Sequence, residues 1–320
     1  MSHFSLLVIG DNVEEQLKPF WELDLYPHEM RECEYAVFKD CTEEVLAKWE
    51  EDKKGYENFK QFAEDYHGYT EEPPGSGKFG YWHNPNAKWD WYVIGGRWSN
   101  MLRMKPVGSS ESAYPPNPIR GQAGVFGKPT EDAPDRCDAC TVGQLDLEKM
   151  EAESIAEFEE TWEKASKIFA THGEPPSWSA MRKELEEKFP VADMPEDESA
   201  KETWDKARSA ELDNIRSIYN NHPCIKALRN ANLEPFGSDT REHYCLDTPN
   251  PKEAFLEKGR CAAFVTFAVL KDGVWYERGK MGWWGMVTDE SLEYDWSTKF
   301  YELITDLPPD TMLTVVDCHI

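Results

Sequence analysis

The hydrophobic residues of this chain follow two different periods in different regions. Short apolar runs at residues 4–9 and 312–316 predict strands near the two ends of the sequence. Residues 262–270 are apolar on both faces, as in a central strand, and Asp272 and Gly273 follow them as a hairpin-turn signal. These patterns predict a mixed, mainly antiparallel sheet that contains both the first and the last strand.

A helical period replaces these runs in the middle of the sequence. Ile155, Phe158, Trp162, Ala165 and Phe169 recur at steps of three and four residues, which is the spacing of one helix face. Prolines separate this segment from later apolar stripes with the same spacing. The pattern therefore predicts a helical insertion in the sheet domain.

Together the two patterns predict an α+β fold with two regions. The sheet domain is expected from residues 1–146 and 233–320, and the helical insertion from residues 147–232. Residues 105–146 are rich in proline and glycine and show little periodicity, so they predict a long loop. Loops of this length are usually functional or mobile.

The charge of the chain excludes several kinds of partner. The sequence holds 61 acidic and 35 basic residues, which gives a net charge of −26. Such a chain is not expected to bind nucleic acid directly or to adsorb on anionic lipid, because both need clustered basic residues. No apolar run approaches the ~20 residues of a membrane span, and we expect no secretion leader. A basic protein surface is the partner that this charge favours.

Disorder is the simplest interpretation of high acidity, and the composition argues against it. Hydrophobic residues make up 40% of the chain, and 13 residues are tryptophan. Acidic disordered chains lack such aromatic residues. We therefore expect a folded protein, and eight cysteines in a chain of this length predict reduced thiols in a cytoplasm.

The densest aromatic segment is KWDWYVIGGRW, which spans residues 88–98. It predicts two strands joined by a turn at Gly95 and Gly96. One hypothesis makes Trp91 a stacking platform and Arg97 an anion clamp for a nucleotide. The alternative is a buried hairpin in which the glycine pair allows close approach of two backbones.

Two further aromatic pairs are candidate anchors for a protein partner. Trp283 and Trp284 lie between glycines, and adjacent strand residues point to opposite faces, so one indole is free to be exposed. Tyr81 and Trp82 form a second candidate pair. Core packing or filling of an edge strand is the alternative interpretation for Trp283 and Trp284.

Zinc is the one cofactor for which the sequence offers ligands. Cys137 and Cys140 form a CxxC motif, and Cys224 and Cys245 would complete four sulfur ligands. The spacing of the four residues is irregular, and a second CxxC motif is missing from the sequence. Ordinary thiols are the alternative, and we expect no other cofactor.

The sequence carries no recognisable catalytic motif. It lacks a serine elbow, an HExxH pair and a dinucleotide-binding fingerprint. Cys318 and His319 are neighbours in sequence, but adjacent residues of a strand face opposite ways, so we do not expect them to form a nucleophile and its base. The expectation is a protein that is not an enzyme.

Four segments resemble a family of largely uncharacterised phage and prophage accessory proteins. They are the opening MSHFSLLVIGDNVEEQL, KWDWYVIGGRW at residues 88–98, GWWGM at residues 282–286 and the ending VDCHI. These segments lie in order from one end of the chain to the other, so the resemblance covers the whole sequence. The family's motifs carry no known chemistry, and the resemblance supplies no catalytic residues.

The resemblance implies a role in the interaction of a phage with the defences of its host. An acidic, folded phage accessory protein without a catalytic motif is most simply a counter-defence inhibitor, active in the host cytoplasm. Its partner would be a host defence protein complex, and a homo-oligomer is compatible with this role. Gabija anti-defence proteins are a phage group of similar size that wrap a nuclease complex and stop it from engaging DNA. The alternative is a nucleotide-binding protein or enzyme that uses the region of Trp91 and Arg97.

Overall fold

The first strand of the chain lies beside the last one in a mixed, mainly antiparallel sheet, and the fold is α+β, as the sequence predicts. The structure is a computed structural model. It describes residues 2–51, 55–105, 119, 135–236, 238–282, 286–291 and 293–320.

The described chain contains short strands in its first and last parts. In chain order they are β1 (His3–Ile9), β2 (Val37–Asp40), β3 (Thr70–Glu71), β4 (Phe79–His83), β5 (Trp91–Ile94), β6 (Leu102–Arg103), β7 (Arg136–Cys137), β8 (Ala139–Thr141), β9 (Ala268–Lys271), β10 (Val274–Glu277), β11 (Lys280–Met281), β12 (Val287–Thr288) and β13 (Met312–His319).

Helices occur throughout and dominate the middle of the chain. The α-helices are α1 (Val13–Leu17), α2 (Pro27–Met30), α3 (Thr42–Glu51), α4 (Phe59–Gln61), α5 (Leu147–His172), α6 (Trp178–Lys188), α7 (Glu198–Asn221), α8 (Pro223–Asn230), α9 (Thr240–His243), α10 (Pro251–Ala262) and α11 (Glu293–Ile304). Short 3-10 helices span Lys18–Phe20, Gly96–Trp98 and Val191–Asp193, and a π-helix spans Phe62–Tyr66.

The central sheet has the strand order β10-β9-β1-β13-β5, and β8 also pairs with β13. Strands β1 and β13 are antiparallel with His3 opposite His319 and Ile9 opposite Leu313. Strand β9 runs parallel to β1, and the other pairs of this sheet are antiparallel. Strands β1 and β13 are buried almost throughout, and each has a neighbouring strand on both sides.

Side chains of β1 and β13 alternate between two faces that differ in chemistry. The face we call the apolar face carries Phe4, Leu6 and Val8 of β1 with Val316 and Cys318 of β13, and these residues form one core cluster. The opposite face, which we call the histidine face, carries polar groups at one end of the strands. They are His3, Ser5, Asp317 and His319.

The turn between β9 and β10 is the hairpin that the sequence predicts. Lys271 pairs with Val274, and Asp272 and Gly273 have φ angles of 52° and 74°. Both angles lie in the left-handed region that a tight two-residue hairpin requires. The strand itself is shorter than expected, because α10 continues to Ala262 and β9 begins only at Ala268. An apolar run alone does not separate a buried helix end from a strand.

The predicted hairpin at Gly95 and Gly96 is wrong. Strand β5 pairs with β13, whereas β6 pairs with β7, so the two strands lie in different sheets. The glycine pair makes a turn with φ angles of 72° and 52°, and a Cβ at Gly96 would lie 2.5 Å from the Cβ of Asp317. Of the segment expected as a loop at residues 105–146, the described part contains β7 and β8, and residues 106–118 and 120–134 lie outside the described residues.

Contacts within the chain define two compact units. One consists of Met1–Asp146 with Val265–Ile320, and the other is Leu147–Phe264. The second unit begins where the sequence places the helical insertion, and it extends beyond residue 232 to include α9 and α10.

The helical unit has its own aromatic core. The Phe158 ring of α5 lies 4.9 Å from the Phe255 ring of α10, measured between centroids, and Gly259 lets α10 approach Phe158 closely. Tyr244 is fully buried beside them and donates to the Leu233 carbonyl oxygen. This packing explains why α10 belongs to the same unit as α5. None of the described helices is both long and apolar enough to cross a bilayer.

Candidate functional site

Three ring-bearing residues line up across three strands at one end of the histidine face. His3 of β1 lies opposite His319 of β13, and His319 lies opposite Trp91 of β5. In the next row along the same face, Asp317 pairs with Ser5 and with Val93. The sheet register therefore gathers residues from distant parts of the sequence.

Each imidazole of this row is bonded to a carboxylate. His3 Nδ1 lies 2.8 Å from Asp317 Oδ1, and His319 Nδ1 lies 2.7 Å from Asp90 Oδ1. A carboxylate accepts the proton of Nδ1, which fixes the ring orientation and leaves the lone pair of a neutral imidazole on Nε2. We call His3, Asp90, Trp91, Asp317 and His319 the two-histidine cluster.

The three rings pack directly on one another. Trp91 stacks on His319 with centroids 5.0 Å apart and an angle of 16° between the planes. His3 meets the edges of both rings, with centroid distances of 5.2 Å to Trp91 and 5.0 Å to His319. Trp91 is 43% exposed, whereas His319 is 5% exposed. The indole thus covers His319 and presents the rest of its surface to solvent.

Further hydrogen bonds hold the two carboxylates in place. Asp317, which is 2% exposed, accepts the backbone N–H of Arg97 at 2.9 Å through its second oxygen. Asp90 accepts the backbone N–H of Trp91 at 2.7 Å. A buried carboxylate is tolerated only when such donors replace water. The turn at Gly96 brings the Arg97 N–H over Asp317, which is why that position excludes a side chain.

Within the described residues, one buried polar atom of the cluster has no hydrogen-bond partner. His319 Nε2 is buried, and within the described part of the chain nothing forms a hydrogen bond with it. Most buried polar atoms in native proteins are satisfied, so an exception of this kind calls for an explanation such as a bound ion, a water or a catalytic role.

The structure brings only some of the predicted site residues together. Trp91 belongs to the two-histidine cluster, and Arg97 is exposed on the short helix that crosses Asp317. Tyr81 and Trp82 lie on β4, which belongs to a separate sheet with β2 and β3.

The two predicted anchors on β4 have different surroundings. Tyr81 is 36% exposed, with Lys39 Nζ 5.5 Å from its ring centroid. Trp82 packs on Phe38, with the ring centroids 5.5 Å apart. Trp283 and Trp284 lie outside the described residues.

The four cysteines proposed as zinc ligands fall in both units. Cys137 and Cys140 lie in the first unit, and Cys224 and Cys245 lie in the second. Within the described ranges, no group of three or more histidine, cysteine or acidic side chains is placed to hold a metal ion. The eight cysteines, all of which are described, form no disulfide. Burial raises the pKa of the Cys224 thiol to about 11, so this sulfur stays protonated at neutral pH.

Between the two cysteines of the CxxC motif lies a buried carboxylate. Asp138 accepts the Ser99 hydroxyl at 2.9 Å and the Asn100 backbone N–H. Burial raises the pKa of Asp138 above its ordinary value, and these hydrogen bonds oppose the shift. The carboxyl also lies against Gly95, where a Cβ would clash with it. The CxxC segment therefore supports the turn at the end of β5.

Sequence reasoning missed both histidines of the cluster. It considered His319 only as a base for Cys318 and set the pair aside, and the structure places Cys318 on the apolar face, fully buried. The sequence did indicate these residues. Asp317 and His319 occupy alternate positions on either side of Cys318 in the last strand, and His3 lies in the first strand. Two strands expected in one sheet, each with polar residues on alternate positions, indicate a shared polar face.

The described chain thus defines an α+β protein with two part-buried histidine–carboxylate hydrogen bonds beside a partly exposed indole. Comparisons of the whole chain with protein-family models, with curated proteins and with solved structures found no match.

Proposed function

We propose that this protein binds and inhibits a host antiviral defence complex without catalysis, and that it does so by blocking the access of that complex to DNA. The observation that carries the proposal is the exposed apolar pair Trp91 and Val93 on an edge strand of the central sheet. The resemblance to phage accessory proteins, with Gabija anti-defence proteins as the group of similar size, suggests the Gabija nuclease as the first target to test.

The edge strand β5 has the features of a protein-binding anchor. It is the last strand in the order β10-β9-β1-β13-β5, and Trp91 and Val93 point to the same face with exposures of 43% and 44%. Aromatic side chains dominate the binding energy of protein interfaces, and an unpaired strand edge is a template for a partner strand. We expect these two residues to be the hydrophobic centre of the contact.

Charge supports the choice of a basic partner. Residues 148–218 hold 19 acidic and 10 basic side chains, within a chain of net charge −26. Several basic residues of these helices already pair with acidic neighbours, as Lys206 does with Glu202 at 2.7 Å. The excess of carboxylates would attract the basic DNA-binding surface of a nuclease and speed its association with this protein.

Rescue of phage growth tests the proposal. We expect the full chain, expressed in cells that carry the Gabija system or another single defence system, to restore growth of a sensitive phage and to co-purify with one defence protein. Val93→Glu should abolish both effects, because it places a charge at the centre of the contact. Val274→Glu is the matched control, since Val274 is 47% exposed on β10 at the opposite edge of the same sheet. Equal rescue by both variants, or no rescue with any defence system, would refute the proposal.

A nucleotide-binding role is the second candidate, and the position of Trp91 favours it. One face of the indole stacks on His319, the ring is partly exposed, and Arg97 is exposed on the adjoining turn. A base could stack on an indole held in this way, and Arg97 could pair with a phosphate. Thermal shift against a panel of mono-, di- and cyclic nucleotides tests this role. A shift that Arg97→Ala removes would support it, and no shift with any nucleotide would exclude it.

A further inference from the structure

We propose that an extended segment of the partner protein, with alternating apolar and basic side chains, joins the central sheet as a strand antiparallel to β5. The inference rests on the proposed function, because it names the kind of segment that contacts the exposed pair Trp91 and Val93. In binding by strand addition, main-chain hydrogen bonds supply affinity and alternate side chains supply specificity.

The backbone of β5 has one paired edge and one open edge. The Gly95 N–H donates to the Val315 carbonyl oxygen at 2.8 Å, so the Gly95 backbone points toward β13. Backbone direction alternates along a strand, so Val93 also points toward β13, and the N–H and C=O groups of Tyr92 and Ile94 point outward. Among the described strands β5 pairs with β13 alone, so these outward groups are available to a partner strand.

The chain itself pairs along this open edge just before β5 begins. The Glu22 N–H donates to the Trp89 carbonyl oxygen at 2.6 Å, and Trp21 and Trp89 form an isolated parallel bridge. No hydrogen bond joins residues 23–26, which are all described, to β5. The pairing therefore stops where β5 starts, and the rest of the edge is open to another chain.

The side chains around β5 indicate what an added strand would carry. On the histidine face, Trp91 and Val93 are 43% and 44% exposed, so apolar side chains would pack beside them. On the opposite face, burial raises the pKa of the Tyr92 phenol, and the nearby carboxylate of Glu14, an exposed residue of α1, raises it further. A lysine or arginine beside Tyr92 would pair with Glu14. Apolar and basic side chains would therefore alternate along the added strand.

The apolar anchor is held in place before any partner binds. Trp91 stacks on His319, and His319 Nδ1 is bonded to Asp90 at 2.7 Å. A side chain that is already fixed in its bound position loses little conformational entropy on binding. The two-histidine cluster thus supports the exposed indole from beneath.

Calorimetry of the full-length protein with the capped peptide KVKVKVK tests this mode of binding. When the valines lie beside Trp91 and Val93, the lysine amides face β5 and the valine amides face away from it. Methylation of the lysine amide nitrogens should weaken binding about 10-fold, because it removes the two donors to the edge. Methylation of the valine amide nitrogens keeps those donors and every charge, so this matched control should bind as well as the parent peptide.

Hydrogen exchange measured by NMR locates the added strand. We expect the Tyr92 and Ile94 amides to exchange more slowly when the peptide is bound, because each gains an acceptor. The Val93 amide faces β13 in the free protein, so its exchange should change little.

Two pairs of variants separate the backbone from the charge. Ile94→Pro removes one outward donor and should weaken peptide binding about 5-fold, whereas Ile94→Ala keeps that donor and should retain the affinity. Glu14→Gln should weaken binding about 2- to 5-fold, and Glu15→Gln, at an exposed neighbour on α1, should not. Circular dichroism of each variant shows whether it is folded.

Equal affinities of the two methylated peptides, unchanged exchange at Tyr92 and Ile94, or no binding by the folded wild-type protein would overturn the inference. Because the peptide experiment needs no host protein, it is separate from the rescue experiment. Rescue of phage growth by Ile94→Pro that equals rescue by Ile94→Ala would support inhibition but overturn strand addition as its mode. Peptide binding with the expected methylation pattern, but without rescue by the wild-type chain, would support strand addition and refute the inhibition.

Discussion

The two faces of the central sheet are built from the same strands but differ in chemistry, because one is an apolar core and the other carries polar side chains. On the apolar face, Leu6 and Val316 pack in a core cluster that contains no charged side chain among its buried members. On the histidine face, one residue away along β13, Asp317 and His319 are equally buried and form hydrogen bonds instead. The comparison teaches that strand alternation lets one pair of strands supply both a stable core and a polar site.

The largest expected effect is on the apolar face. Leu6→Ala should lower the free energy of unfolding by about 2–5 kcal/mol, because Leu6 is completely buried and the substitution leaves a cavity. Urea denaturation of the full chain measures this change. Leu46→Ala, at a leucine on α3 that is 41% exposed, is the matched control and should change stability by less than about 0.5 kcal/mol. Similar losses in the two variants would show that the apolar face is not the main core.

A smaller loss is expected on the histidine face. Asp317→Asn keeps the size of the side chain but leaves only one oxygen to accept from both His3 Nδ1 and the Arg97 N–H. The unfolding free energy should fall by about 1–3 kcal/mol, which is typical for a buried donor left without its acceptor. Asp310→Asn, at an exposed position, should be neutral. An unchanged stability of Asp317→Asn would mean that these bonds contribute nothing to the fold.

The smallest expected effect is the dependence of stability on pH that Cys318, on the apolar face, contributes. Burial, and then the charge of Asp317, raises the pKa of the Cys318 thiol well above its ordinary value of 9.0. Above pH 9 the unfolded chain releases this proton while the folded chain keeps it, so stability falls as the pH rises. Between pH 8 and pH 10 the wild-type protein should lose about 1.4 kcal/mol more than Cys318→Ala does. Denaturation curves at several pH values measure the difference, and parallel pH profiles would contradict the assignment.

The sequence predicts the sheet better than it predicts the pairing of strands. The runs that form β1 and β13 are continuous and apolar, and the Asp272–Gly273 turn has a local signature, so the first and last strands and one hairpin follow from local pattern. The turn at Gly95 looked like a second hairpin, because nothing near it in sequence indicates that β5 pairs with β13. Non-local pairing of this kind has no local signature.

The candidate site was likewise only partly predictable from the sequence. Trp91 and Arg97 stand out in a dense aromatic segment, and both lie at the histidine face or on the turn beside it. His3 and Asp317 were missed because they are 314 positions apart in the chain and meet only through the register of β1 and β13. The zinc hypothesis combined the CxxC motif with two distant cysteines, and the structure places the motif in one unit and Cys224 and Cys245 in the other.

Because β1 and β13 are neighbours, the central sheet can be completed only after β13 has been translated. Strand β1 is translated first, yet its antiparallel neighbour is β13, and its parallel neighbour β9 is also made late. The helical unit consists of residues that are close in sequence. Contacts of short sequence separation form fastest, so we expect this unit to fold before β1 has its neighbouring strands. Until Met312–His319 emerges, Phe4, Leu6 and Val8 lack the Val316 and Cys318 side chains that complete their core cluster, and we expect the nascent chain to be more open to chaperones and to aggregation during this interval.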